Sequence, residues 1–276
     1  MGMGPQPEEH HMQDITGKIA WVTGAGTGIG EAAAKALAAE GVIVVLTGRR
    51  KEPLEKVAAV IKQAGGKATV QPGDLTKSSS VAKIVAAIVA DYGRIDIVVS
   101  NAGTNVPNRT WPRLDAETID NLVQGNLTSA IYVSHAVLPV MRAQGGGLLI
   151  HTSSMAGRNI SPVSGPIYTA AKHGVVAMSH TINLAECTNG IRSTVILPGE
   201  VATEIMQFRD PPELPETLAR MVQPEDMGAV VVFVAKQPAH VCVNEMWVTP
   251  THNRGYIAAM KGREAQQAEA RAKAKS

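Results

Sequence analysis

The sequence predicts an α/β fold, a doubly wound parallel sheet of about seven strands with helices on both faces. Three observations carry this. Short apolar runs rich in Val, Ile and Leu recur along the chain, too continuous for strands buried on one face only. Longer stretches of helical spacing alternate with them, as βαβ units require. No linker or break in composition divides the chain, so residues 14–258 are expected to form one domain.

In order, "KIAWVTG" from residue 18 is a buried strand, and "IGEAAAKALAAEG" from residue 29 is a helix that Gly41 ends. "VIVVLTG" is the second strand, "EPLEKVAAVIKQAGG" a helix and "KATVQPGD" the third strand. "SSSVAKIVAAIVADYG" is a helix, followed by the strand "IDIVVSNAG". One long helical region spans 117–142, then come the strand "GGLLIHTSS", a helix over 166–188 and the strand "IRSTVILPG". The Pro-rich loop "RDPPELPE" precedes a helix near 225–236, and "VCVNEMWVTP" is the last strand.

Composition narrows the function classes. The chain is 45% hydrophobic and 18% charged, as a globular protein is, and its net charge of +2 offers no general attraction to nucleic acid or to an anionic membrane. Aromatics make up only 3%, so close packing of Ala- and Gly-rich helices on Val-rich strands is expected. Cys187 and Cys242 lack metal-site or redox spacing and read as reduced, buried thiols. Residues 1–13 hold no apolar run of the signal-peptide kind and read as a disordered leader; the adjacent His10 and His11 are too weak a signal to predict a metal. No apolar stretch approaches the ~20 residues of a membrane span, so a cytoplasmic protein is expected. The tail 259–276 is charged and Ala-rich, a solvated helix or disordered.

"TGAGTGIG", Thr23 to Gly30, joins the first strand to the first helix. In that setting Gly24 permits a tight turn, Gly28 lets a pyrophosphate approach the backbone, and Gly30 lets helix and strand pack closely. The helix N-terminus then offers free amides to the phosphates. The second strand ends in "LTGRRKEP", with no acid from Gly41 to Lys51 to take a ribose 2′-hydroxyl. Arg49 and Arg50 stand there instead, and guanidinium suits a 2′-phosphate, so NADP is the expected cofactor and NAD the second choice.

"YTAAK" places Tyr168 and Lys172 one helical turn apart on one face. Such a pair alone is ordinary surface chemistry. A lysine charge about 5 Å from a phenol, at an effective dielectric near 20, is worth roughly 3 kcal/mol, or about two pKa units. With the positive charge of an oxidised nicotinamide added, the expectation is a Tyr168 phenol lowered toward working pH. "SNAG" and "HTSSMAG" end two strands whose carboxyl ends converge on the same crevice.

Glycine turn, NAG, Ser and YxxxK, in this order and spacing, resemble the short-chain dehydrogenase/reductase family over about residues 14–250. The resemblance implies a Rossmann-type fold and hydride transfer between a nicotinamide cofactor and a small-molecule secondary alcohol or ketone, the alternatives being a non-redox epimerase or dehydratase or a nucleotide-binding scaffold of the same fold. It implies a catalytic tetrad of Asn126, Ser154, Tyr168 and Lys172. Ser154 rather than Ser153 fits, because Gly157 follows it by three. Tyr168 would be the acid/base, Lys172 its partner and the holder of the nicotinamide ribose, and Asn126 would hold a water leading from Lys172 to solvent. The cofactor would be bound by Gly24, Thr27, Gly28, Ile29 and Gly30 of the turn, Arg49 and Arg50, Asp74 and Leu75 at the adenine, Asn101, Ala102 and Gly103, Tyr168 and Lys172. Pro198, Gly199, Val201 and Thr203 of "PGEVAT" would line the nicotinamide. A homo-oligomer, tetramer or dimer, is implied as well.

Two departures stand out. Ser100 occupies a position where many relatives carry Asn, and "NEMWVTPTHNRGY" replaces the "DGG" turn that often follows the last strand. Substrate choice is expected to lie in "TNVPNRTWPR", "MAGRNISPVSGP" and "EVATEIMQFRDPPELPETLARM", the last having the length and composition of a lid. Arg158, Asn159, Met206 and Trp111 are candidate substrate contacts.

Overall fold

The computed structural model describes residues 12–160, 163–204, 206 and 213–274. Seven strands form one sheet: β1 (Ile19–Thr23), β2 (Ile43–Thr47), β3 (Lys67–Val70), β4 (Ile97–Ser100), β5 (Gly147–Thr152), β6 (Ile191–Pro198) and β7 (Glu245–Val248). Their order is β3-β2-β1-β4-β5-β6-β7, and each neighbouring pair is parallel. The helices are α1 (Gly28–Ala39), α2 (Lys51–Gln63), α3 (Ser78–Tyr92), α4 (Ala116–Val123), α5 (Ser129–Ala143), α6 (Pro166–Glu186), α7 (Pro215–Leu218), α8 (Pro224–Ala235) and α9 (Arg254–Lys273). The winding reverses between β1 and β4, and in open α/β sheets a ligand crevice lies at that point, beyond the strands' carboxyl ends.

Both faces of the sheet are covered, which is why its strands read as unbroken apolar runs. Ala20, Val22, Val44, Leu46 and Ile150 point to one face, against Leu37 of α1, Leu54 and Ile61 of α2 and Val231 of α8. Trp21, Val45, Val98 and Leu149 alternate to the other, against Val85 and Ile88 of α3, Val137 and Met141 of α5 and Ile182 of α6. Burying a side chain of this size contributes roughly 1.5–3 kcal/mol. Trp21 is fully buried, and its indole N–H donates to Thr47 Oγ1 at 2.8 Å, so the one polar atom of the ring is satisfied. Small residues set the helix spacing: a Cβ on Gly228 of α8 would lie 2.8 Å from the Ala32 carbonyl of α1.

Several boundaries differ from the sequence expectation. The third strand stops at Val70 and the last covers only Glu245–Val248. The two thiols are not both buried as expected: Cys187 is exposed and Cys242 half-buried. The 117–142 region is interrupted by a π-helical turn over Gln124–Thr128. The tail is helical from Arg254, earlier than the expected boundary at 259. The leader, expected to be disordered to residue 13, is anchored at its end, where Gln13 N donates to Lys236 O at 2.7 Å. Residues 1–11, with His10 and His11, and part of "RDPPELPE" lie outside the described residues. Among the described residues no helix is long and apolar enough to cross a membrane.

Candidate active site

β1 delivers Thr23 to the crevice. Its buried hydroxyl donates to Val99 O at 3.3 Å and accepts from the amides of Asn101 and Ala102 at 2.9 and 3.1 Å. One side chain thus ties the end of β1 to the turn after β4. Sequence reasoning passes over Thr23; its one signal is its place as the last residue of a buried strand before the glycines.

Gly24 and Gly28 hold φ of 62° and 57°, where a side chain is strained. A Cβ on Gly24 would lie 3.0 Å from Ala102 Cα, and one on Gly30 would lie 2.6 Å from Asn101 Nδ2 and collide with the Gly24 carbonyl. Gly28 faces the segment after β6, a Cβ there lying 3.1 Å from Thr203 Cγ2. Thr27 caps α1 in extended conformation without a side-chain bond. The first-turn amides of Gly28, Ile29 and Gly30 therefore present the positive end of the helix to the crevice.

Arg49 and Arg50 follow β2 and are exposed, Arg50 as the N-cap of α2. The ion pairs of α2 run between Lys51 and Glu55 and between Lys56 and Glu52, and none among the described residues takes Arg49 or Arg50. Asp74 Oδ1 accepts from the Thr76 amide and hydroxyl at 3.0 and 2.8 Å. Those bonds, with the charges of Lys77 and Arg49, hold its carboxyl below the ordinary range. Leu75 beside it is buried.

α6 carries Tyr168 and Lys172 toward the ends of β4 and β5. Tyr168 is partly buried and shares a hydrogen bond with Ser154. Ser154 Oγ also accepts from Ala156 N at 3.1 Å, capping the short turn Met155–Gly157. The buried hydroxyl of Ser153 donates instead to Lys172 O at 2.9 Å. Lys172 is buried; its ammonium donates to Thr152 O at 2.9 Å and lies 5.5 Å from the centroid of the Tyr168 ring. A Cβ on Gly103 would lie 2.8 Å from Asn126 Oδ1 and 3.4 Å from Lys172 Nζ, so the NAG turn, the helix asparagine and the lysine meet at one point.

Asn126 is almost wholly buried. Its Oδ1 accepts from Thr104 N at 3.1 Å, and its Nδ2 donates to Thr104 O at 2.8 Å and Leu122 O at 2.9 Å. Both amide hydrogens are used within the protein, so the expected water would have to be held by an oxygen of Asn126. After β6, Pro198 pairs with Val248, and Gly199 N donates to Val248 O at 2.8 Å. Val201 is buried and bridges to Val222, and Thr203 N donates to Val201 O at 2.8 Å.

Two expectations are corrected. The Tyr168 phenol is raised, not lowered: burial pushes it up, and the Ser154 bond and the Arg109 charge only oppose that. Burial also pulls the Lys172 ammonium down to about 8, and at the phenol burial outweighs the groups that favour the tyrosinate. Arg158 is engaged with Glu245 of β7, which also bonds His180, rather than held for a substrate. Of the other candidate contacts, Trp111 and Asn159 are exposed and Met206 is buried. Arg109, which acts electrostatically on Tyr168, was not singled out from the sequence, where one arginine in a polar loop looks like any solvated one. Its loop folds back toward Tyr168, for a Cβ on Gly165 would lie 2.8 Å from Arg109 Cβ.

Comparison with known proteins agrees with this fold. Residues 18–213 match the family model for short chain dehydrogenases. An uncharacterized oxidoreductase of Staphylococcus aureus (strain MRSA252) is 35% identical over 239 residues, covering 87% of this chain and 100% of the relative. A metagenomic short-chain oxidoreductase solved in complex with NADP superposes with a TM-score of 0.76 at 30% identity, covering 87% of this chain and 99% of the other. An alcohol dehydrogenase from the archaeon Thermococcus sibiricus, complexed with 5-hydroxy-NADP, superposes with a TM-score of 0.78 at 28% identity, covering 86% and 98%. The chain belongs to the short-chain dehydrogenase/reductase family of oxidoreductases.

Proposed function

We propose that this oxidoreductase interconverts a secondary alcohol and a ketone with NADP(H), NAD(H) being the second choice of cofactor. The convergence of Tyr168, Ser154, Lys172 and Asn126 at the carboxyl ends of β4 and β5 carries the reading. The residues suit a dinucleotide: glycines at positive φ at a close approach, an α1 N-terminus without a side-chain cap for the pyrophosphate, and two exposed arginines after β2 for a 2′-phosphate. Gly24, Thr27, Gly28, Ile29, Gly30, Arg49, Arg50, Asp74 and Leu75 would hold its adenosine and pyrophosphate. Asn101, Ala102, Gly103, Pro198, Gly199, Val201 and Thr203, with Tyr168 and Lys172, would hold its nicotinamide half. When bound, the nicotinamide supplies or accepts the hydride.

The protein's own part is the proton. Tyr168 donates from its hydroxyl to the ketone oxygen in reduction and takes the proton back in oxidation. A phenol that burial keeps protonated at neutral pH is set to donate. Ser154 hydrogen-bonds the same oxygen where negative charge develops. Lys172, at about 8, carries a charge beside the ring that opposes burial as the tyrosinate forms. Asn126 acts as a strut that fixes the NAG turn against Lys172.

The test is calorimetric titration of the protein with NADPH and NADH, then a screen of ketones and secondary alcohols with the tighter cofactor. Tyr168→Phe should lower turnover by about 10²-fold or more and change cofactor Kd by less than about threefold. Turnover that survives the substitution removes Tyr168 as the acid/base. The same reading includes a homo-oligomer, tetramer or dimer. Leu184 of α6 is 82% exposed, and Ile131 of α5, Phe233 of α8 and Trp247 of edge strand β7 are exposed as well, apolar surface that a second copy would cover. Light scattering at micromolar concentration should give a multiple of the chain mass; the mass of a single chain contradicts it.

A further inference from the structure

The segment after β7 departs from the family pattern, and the structure shows where it goes. Thr249 and Pro250 close over Gly199: a Cβ there would lie 3.3 Å from Thr249 Cγ2 and Pro250 Cδ and 3.2 Å from Met155 Sδ. Buried Asn253 caps α9, accepting from Tyr256 N at 3.2 Å. That cap aims the next residue, Arg254, back at the crevice segment. Its Nε donates to Glu200 Oε2 at 2.9 Å and its Nη2 to Glu200 Oε1, while Nη1 and Nη2 donate to the two Glu213 carboxylate oxygens at 2.9 and 2.8 Å. One planar guanidinium thus holds two carboxylates, each in bidentate fashion.

Glu200 directly follows Gly199. Its carbonyl accepts from Val222 N at 3.1 Å, and Ala202 N donates to Val222 O at 2.9 Å. Position 200 is therefore pinned by its backbone to Val222 and by its side chain to α9. Val201 and Thr203 lie just beyond, Thr203 over Gly28.

We propose that Arg254 is a positioning residue for the cofactor: through Glu200 and Glu213 it locks residues 199–203 in place over the glycine turn, giving the C-terminal segment a role in binding the nicotinamide half. The inference rests on the dinucleotide reading above. Arg254 touches no cofactor in this account; it acts through Glu200.

The test is calorimetric titration of the full chain and of Arg254→Ala with two probes, NADPH and adenosine 2′,5′-bisphosphate. The second carries the 2′-phosphate end alone. Arg254→Ala should raise the NADPH Kd by about tenfold and leave the bisphosphate Kd within about twofold. Arg254→Lys, a point charge unable to hold two carboxylates in bidentate fashion, should fall between. Glu200→Gln breaks the same link from the other side and serves if Arg254→Ala does not fold. Unchanged NADPH binding in both variants overturns the proposal. Equal weakening of both probes also overturns it, because that marks general loosening of the fold. Should the unaltered protein bind neither probe, the dinucleotide reading fails and the inference falls with it. Should it bind both while the variants match it, only the inference fails.

Discussion

His151 is fully buried on β5, neither of its ring nitrogens has a hydrogen-bond partner, and the Lys172 charge adds to burial in pulling its imidazole down to about 4. The unfolded chain binds this proton near 6.5, before the folded protein does. The stability that neutral His151 allows is therefore complete above pH 6.5 and is lost as pH falls toward 4. A shift of this size corresponds to roughly 3 kcal/mol. Urea unfolding at pH 7.5 and 4.5 should show that loss in the unaltered protein, and His151→Asn should flatten it. Equal slopes in the two proteins would mean that His151 is solvated. At this scale the sequence reports residue identity and spacing but not the medium. That Tyr168 and Lys172 share a helix face was legible because it depends on periodicity alone, whereas Ser154 was preferred to Ser153 only through the family resemblance. The direction of the Tyr168 shift was not legible, because it depends on how much water burial removes. Nor was the partner of Arg158, which comes from a strand far along the chain.

At the scale of elements, the interruption in the α4–α5 region has a local cause. Asn126 Nδ2 donates to Leu122 O, the carbonyl that its own backbone N–H would take in a regular α-helix. The ladder widens into the π-helical turn Gln124–Thr128, and the side chain then reaches the Thr104 backbone as well. Asn126→Ala should free both Thr104 backbone groups and speed hydrogen exchange at its amide by about tenfold, with α6 amides unaffected. Unchanged protection at Thr104 would show that another group holds this turn. Apolar periodicity located nearly every strand and helix, but it cannot report a side chain competing for a backbone carbonyl. It did carry the helix correctly through Pro139, which is exposed, so the carbonyl freed by the missing N–H can face water. The early start of α9 was missed because Asn253 and Arg254 act through a cap and an ion pair, and the helix has no apolar stripe to announce it.

Across the whole molecule, the strand order separates two jobs. Arg49 and Arg50 follow β2, on one side of the β1–β4 switch point, and Ser154, Tyr168 and Lys172 gather near β4 and β5 on the other. Changes at the arginine end should therefore alter which cofactor binds without altering the proton chemistry. Both guanidinium groups are exposed and outside the ion pairs of α2, so a 2′-phosphate would be held by charge-assisted bonds of about 1.5–3 kcal/mol, equal to about 10–100-fold in Kd. Arg49→Asp combined with Arg50→Gln should weaken NADPH by that factor and leave NADH unchanged or tighter, since an aspartate there can accept from a ribose hydroxyl. The turnover number at saturating NADPH should stay within about threefold, because the lost contact binds ground and transition states alike. Ionic strength supplies an independent check: raising salt screens exposed charges and should weaken NADPH more than NADH in the unaltered protein. Equal affinities for the two cofactors, insensitive to salt, would mean that the arginines are a solvated loop and would make NAD the cofactor.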